Sequence, residues 1–122
     1  MINWDDFEKI DMRLGTILEV TDFPNARKPA YQLKIDFGES GIKNSSAQIT
    51  NLYSKTELIG KQIIAVVNFP PKQIANFLSE CLVLGVYNQQ NEVCCCNRHS
   101  LLITAVVLAK THKNFPKKCL LF

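Results

Sequence analysis

The chain has 122 residues, 47% apolar and 20% charged, which is one domain's worth of ordinary globular composition and excludes a disordered or fibrous chain. Its net charge of +3 conceals an asymmetry: residues 1–86 carry nine Lys/Arg against ten Asp/Glu, and residues 87–122 carry five against one. The body is therefore not a uniformly basic nucleic-acid binder, and any anion site in it must come from local clustering. The start, MINWDDFEKI, lacks the basic and apolar regions of a signal peptide, and the longest apolar run, LLITAVVLA, is about half a membrane span. These features predict a cytoplasmic protein with no membrane insertion.

Asn3 is placed to cap a short helix whose first turn holds Asp5 and Asp6 at the positive end of the dipole. Trp4, Phe7 and Ile10 then share one side, suited to packing on the domain or on a second subunit. From Met12 the period becomes two, with Met12, Leu14, Thr16, Leu18 and Val20 expected on one face of a strand and Arg13, Gly15, Ile17 and Glu19 on the other. After the turn DFPNARKPA a second strand places Tyr31, Leu33, Ile35 and Phe37 inward and Gln32, Lys34 and Asp36 outward. Gly38 and Gly41 bracket a tight turn, and SSAQIT reads as the return strand. Ser54, with Glu57 three residues on, caps a brief helix that Gly60 ends. IIAVVNF reads as a strand buried on both faces, FPPK breaks it, and FLSECLVLGVY is the fifth strand. Five short strands with a small helix between the third and fourth predict an all-β fold, the five-stranded Greek-key OB barrel.

Catalysis finds no support. Both histidines, His99 and His112, lie in the tail, and there is no nucleophile elbow, phosphate-binding glycine loop or HExxH helix. Cys81 sits in an apolar strand and reads as core. No cofactor is expected.

Two segments suggest binding. GIKNSSAQIT offers Lys43, Ser45, Ser46 and Gln48, and NFPPKQIANFLSE offers Asn68, Lys72, Asn76, Ser79 and Glu80 around a proline-stiffened loop. Short hydroxyls and amides beside isolated lysines suit phosphate and base-edge contacts. The same residues are equally what exposed turns and edge strands contain. Arg27 and Lys28 form the densest basic cluster of the body and suit backbone phosphates, or a solvated turn. Arg13 suits either binding or an ion pair with Asp11 or Glu19.

The segments DFEKIDMRLGTI, DFPNARKPAYQLKIDFG, GIKNSSAQIT and LIGKQIIAVVNFPPKQIANFLSECLVLGV follow one another in order over about residues 4–86. Together they resemble the CsaA-type export-related chaperones, part of the wider tRNA-binding domain family also seen at the C-terminus of many bacterial methionyl-tRNA synthetases. The resemblance implies an OB-fold, a homodimer and non-catalytic binding of structured tRNA. As an alternative it implies a chaperone that binds unfolded or pre-export polypeptides. Lys43, Ser45, Ser46 and Gln48 match the family's IKxSSAQI, and Asn68, Lys72, Ser79 and Glu80 match its NxPPRxIxxFxSE; Arg13 matches its D-[IM]-R-[VL]-G. Lys72 stands where the family often has Arg, which keeps the charge and loses the bidentate fork.

The resemblance fades after Val93, which divides the chain into a tRNA-binding domain at 1–93 and an atypical tail at 94–122. Cys94, Cys95 and Cys96 with His99 are poor zinc ligands, because adjacent residues of an extended chain point to opposite faces and structural sites use spaced pairs. No metal is expected. If the codons after Val93 are read one base early, each Cys-Cys junction becomes a leucine codon, and VCCCNR permits the Val-Leu-Leu-Gln-Pro of the family's ending. The tail is therefore read as a frameshifted version of the family's C-terminal strand.

Overall fold

The computed structural model describes residues 1–95. Helix α1 (Trp4–Glu8) opens with a full capping box: the Asn3 side chain accepts from the Asp6 N–H, and the Asp6 carboxylate accepts from the Asn3 N–H. It seats Phe7 in the core and sets the Trp4 ring against it, tilted by 54° at 5.2 Å. Three long strands follow, β1 (Met12–Asp22), β2 (Tyr31–Asp36) and β3 (Ile42–Ala47), then helix α2 (Lys55–Leu58) and strand β4 (Gln62–Val66). Five short strands complete the described chain: β5 (Lys72–Ile74), β6 (Phe77–Ser79), β7 (Leu82–Val83), β8 (Gly85–Tyr87) and β9 (Val93–Cys95).

The main sheet runs β3-β2-β1-β4-β7, every pairing antiparallel. It curls until β3 meets the chain just before β7, where the Glu80 N–H donates to the Asn44 carbonyl at 2.8 Å. The result is a nearly closed five-stranded barrel of the OB type, with the two small helices where the residue pattern puts them. Ile17, Leu33, Ile35 and Ile63 fill its centre and Leu58 of α2 is buried with them, all at 1% exposure or less. Ile63, Ile64, Ala65 and Val66 are all buried, as their unbroken apolar run requires.

Two strand assignments change. In β1 the inward residues are Gly15, Ile17 and Val20, while Leu14 and Leu18 lie outside. The cause is a bulge: Ile17 pairs with Ile35 and Glu19 with Lys34, leaving Leu18 as the extra residue that switches the parity. A strict alternation carried through Leu18 inverts the first half of the strand. The inward Gly15 is also a steric necessity, since a Cβ there would meet Ile35 Cγ2 at 2.5 Å and Phe37 Cε1 at 2.6 Å.

The expected fifth strand, FLSECLVLGVY, is three pieces. β6 turns away to pair with β5, β7 alone joins β4, and β8 pairs with β9. At Gly85 a Cβ would meet Val93 Cγ1 at 2.6 Å and the Cys94 carbonyl oxygen at 2.9 Å, so glycine admits the β9 backbone. Strand β9 crosses the expected domain boundary, pairing Cys94 with Val86 and Cys95 with Gly85. Cys95 is buried, and its N–H donates to the Tyr53 hydroxyl at 3.1 Å. Cys96, His99 and the rest of the expected tail lie outside the described residues.

Candidate nucleic-acid interface

The register of β2 against β3 sorts the polar residues of the first binding segment. Gln32 faces Ser46 and Lys34 faces Asn44 on the outer surface, while Leu33 faces Ser45 on the inner one. Ser45 is accordingly fully buried, its hydroxyl donating to the Cys81 carbonyl at 2.8 Å. Ser46 is half-buried, and Gln48 is exposed just beyond the end of β3. Lys43, half-buried at the start of β3, lies close enough to the Cys81 thiol for its charge to be felt there.

The second segment closes the barrel onto the first. The Ser79 hydroxyl accepts from the Ser46 N–H at 3.1 Å, and the Glu80 carboxylate accepts from the Asn44 N–H at 2.8 Å. Three of the expected binding residues, Ser45, Ser79 and Glu80, therefore spend hydrogen-bonding groups on the seam between β3 and residues 79–81. Asn68 does similar work at the other end: its carbonyl accepts from the Asp11 N–H at 2.9 Å and its amide donates to the Lys9 carbonyl at 2.6 Å. It carries on the β1–β4 ladder by one side chain. Beside the seam, burial pushes the Cys81 thiol up to about 11, which keeps it protonated and unreactive.

The cations divide into two groups. Arg13 grips Asp11 through Nε at 3.0 Å and Nη2 at 3.2 Å, Lys34 pairs with Glu19 at 3.4 Å, and Lys55 pairs with Asp22 at 2.8 Å. Lys9 approaches Asp6 at 3.9 Å, and Lys61 sits 4.9 Å from the centre of the Tyr53 ring. Arg27, Lys28, Lys43 and Lys72 have no carboxylate within ion-pair distance among the described residues. Arg27 and Lys28 are exposed in the β1–β2 turn, and Lys72 is exposed in the β5–β6 hairpin. Phe23, which opens that turn, packs edge-on against Phe77 of the hairpin at 5.5 Å, so the two basic loops stand side by side.

Against the hairpin's Phe77, on the outer face of β1–β3, lies a groove of about 110 Å³ lined by Glu19, Thr21, Gln32, Leu33, Lys34, Asn44 and Phe77. None of these was singled out as a site residue from the sequence. The outward parity of Gln32 and Lys34, and of Glu19 opposite Val20, is legible there; the placing of Phe77 over them by the β5–β6 hairpin is not. Among the described residues no cluster of three or more His, Cys, Asp or Glu is spaced to hold a metal, and no helix is long and apolar enough to cross a membrane.

Residues 12–100 match the family described as "Putative tRNA binding domain". A methionine–tRNA ligase of Leptospira biflexa is 39% identical over 84 residues, 69% of this chain and 12% of the ligase. One from Bacteroides fragilis is 35% identical over 92 residues, 75% of this chain and 13% of the ligase, so the chain spans only a small part of these enzymes. Among solved structures, a CsaA chaperone protein from Picrophilus torridus is 61% identical with a TM-score of 0.77, over 82% of this chain and 92% of that one. Chaperone CsaA from Bacillus anthracis str. Ames is 50% identical with a TM-score of 0.76, over 82% and 91%. The barrel, its seam and these likenesses agree: the chain belongs to the tRNA-binding domain family, as a module of the CsaA type.

Proposed function

We propose that the protein is a non-catalytic tRNA-binding module that works as a cytoplasmic homodimer. The observation that carries this reading is the division among the cations. Arg27, Lys28, Lys43 and Lys72 have no ion-pair partner among the described residues, and three of the four belong to two loops held together by the Phe23–Phe77 contact. Phosphates of a folded RNA are anions that such cations suit. Trp4, Leu14 and Leu82, exposed at 42%, 36% and 49%, are apolar surface for a second copy to cover.

Size-exclusion chromatography with and without tRNA at two salt concentrations tests both parts. The expected result is a dimer that shifts with tRNA at low salt and shifts less at high salt. Changing Lys43 and Lys72 together to Ala should remove most of the binding and lower the salt slope by about one per lysine. Binding indifferent to salt and to both substitutions would overturn the reading.

A second reading is a chaperone that holds unfolded or pre-export polypeptide. It is favoured by the two CsaA relatives named chaperones and by Ile42, Phe69 and Leu78, exposed at 57%, 55% and 44%. It predicts suppression of aggregation that survives the double lysine substitution.

A further inference from the structure

We propose that the groove between the outer face of β1–β3 and the β5–β6 hairpin is a site for a single unpaired guanine base. The proposal rests on the tRNA-binding reading and goes further, to which chemical group of the ligand this groove takes and which residues select it.

The groove is too small for a helix and suits one planar ring system. The half-buried Phe77 stands against it, its ring fixed by the edge-on contact with Phe23 at 5.5 Å and 62°. An aromatic wall beside an unpaired nucleotide is the usual stacking platform for a base. The charges argue against a phosphate. Among the described residues Lys34 is the groove's only cation, and Glu19 stands directly across the ladder from it with Nζ and Oε2 3.4 Å apart. That pair leaves the lining of the groove with no net charge.

A neutral base with a polar edge fits better, and the pair selects among the four. A carboxylate only accepts hydrogen bonds, and an ammonium only donates them. Guanine alone offers two adjacent donors, N1–H and N2–H, next to an acceptor, O6. Glu19 suits the donors and Lys34 the acceptor. Adenine turns the N1 lone pair toward the carboxylate, cytosine brings one donor with two acceptors, and uracil has a single donor between two carbonyls. Thr21 Oγ1 stands 3.4 Å from Gln32 Oε1, which leaves the Gln32 amide nitrogen for a ligand. Both backbone groups of Asn44 are tied to Glu80, so its side chain is held at the groove with its amide uncommitted.

The test titrates UUGUU, UUAUU, UUCUU, UUUUU, GMP and unfractionated tRNA into wild-type and Glu19→Gln protein. Calorimetry reads the affinity, and the NMR shifts of the Gln32 and Asn44 side-chain amides read the place. Glu19 is an exposed strand residue, so the variant folds. The proposal expects UUGUU to bind about tenfold more tightly than the other three, the worth of one good bidentate pair. It expects shifts at both amides, and loss of the preference in Glu19→Gln with salt-sensitive tRNA binding retained. GMP binding as tightly as UUGUU, with the same shifts, would support the guanine site and identify a free nucleotide as its source. Equal affinity for the four pentanucleotides, or a guanine preference that leaves Gln32 and Asn44 unshifted, overturns the proposal while tRNA binding stands. If tRNA itself fails to bind, the proposed function falls and the guanine site falls with it.

Discussion

Glu80 holds Asn44 at two points: its carboxylate accepts from the Asn44 N–H at 2.8 Å, and its own N–H donates to the Asn44 carbonyl at 2.8 Å. One end of this clasp is backbone and the other is a side chain standing in for backbone. It joins β3 to the chain entering β7, where the ladder is otherwise open. Removing the carboxylate leaves a part-buried N–H without a partner. Glu80→Ala should cost about 1–3 kcal/mol, read as a lower urea midpoint at unchanged slope. Glu80→Gln keeps an acceptor oxygen and should lose distinctly less.

Gly15→Ala tests the close approach of β1 to β2. The added methyl would stand 2.5 Å from Ile35 Cγ2 and 2.6 Å from Phe37 Cε1, both deep in the packed barrel. Neither neighbour has room to yield, so a loss of about 1–3 kcal/mol is expected by chemical denaturation. The far-UV spectrum should stay unchanged.

Ala75 is the opposite case. It opens the two-residue turn between β5 and β6 with φ of 51°, a conformation that L side chains adopt at a cost, and it is exposed. Ala75→Gly should therefore stabilise the protein by about 0.5–1 kcal/mol, and Ala75→Val should destabilise it. Thermal unfolding of the three proteins side by side checks the order.

The Cys81 thiol gives a pH dependence with a definite sign. Its value rises from 9.0 in the unfolded chain to about 11 in the fold, chiefly because burial disfavours the thiolate. The folded state therefore binds the proton more tightly. This contribution to stability is fully present below pH 9 and is lost as pH rises through about 11. Urea midpoints across that window should fall more steeply for the wild type than for Cys81→Ala. At pH 8 iodoacetamide should leave Cys81 unmodified in folded protein and label it in urea, as read by peptide mass mapping.

The polar motif residues show where reading from sequence stops. GIKNSSAQIT and NFPPKQIANFLSE belong together, and the structure brings them together, but through Ser45, Ser79 and Glu80 as a seam. A hydroxyl or carboxylate that ties two backbones looks, in sequence, the same as one that waits for a ligand. Arg13, which suits an ion pair or a ligand, makes two bonds to Asp11.

What the sequence by itself determined is local. The Asn3 and Ser54 caps, the Gly38–Gly41 turn, the inward set Tyr31, Leu33, Ile35 and Phe37, and the doubly buried β4 follow from neighbours a few residues apart. Periodicity and capping act at that range. The tertiary structure alone decided the parity of β1, the division of FLSECLVLGVY and the groove under Phe77. Each depends on a partner far along the chain: Lys34 for the bulge at Leu18, β5 and β9 for the strand that splits, and Phe23 for the ring that walls the groove. A bulge inserts one residue and reverses every face before it, and no local preference records where the opposing strand will place it.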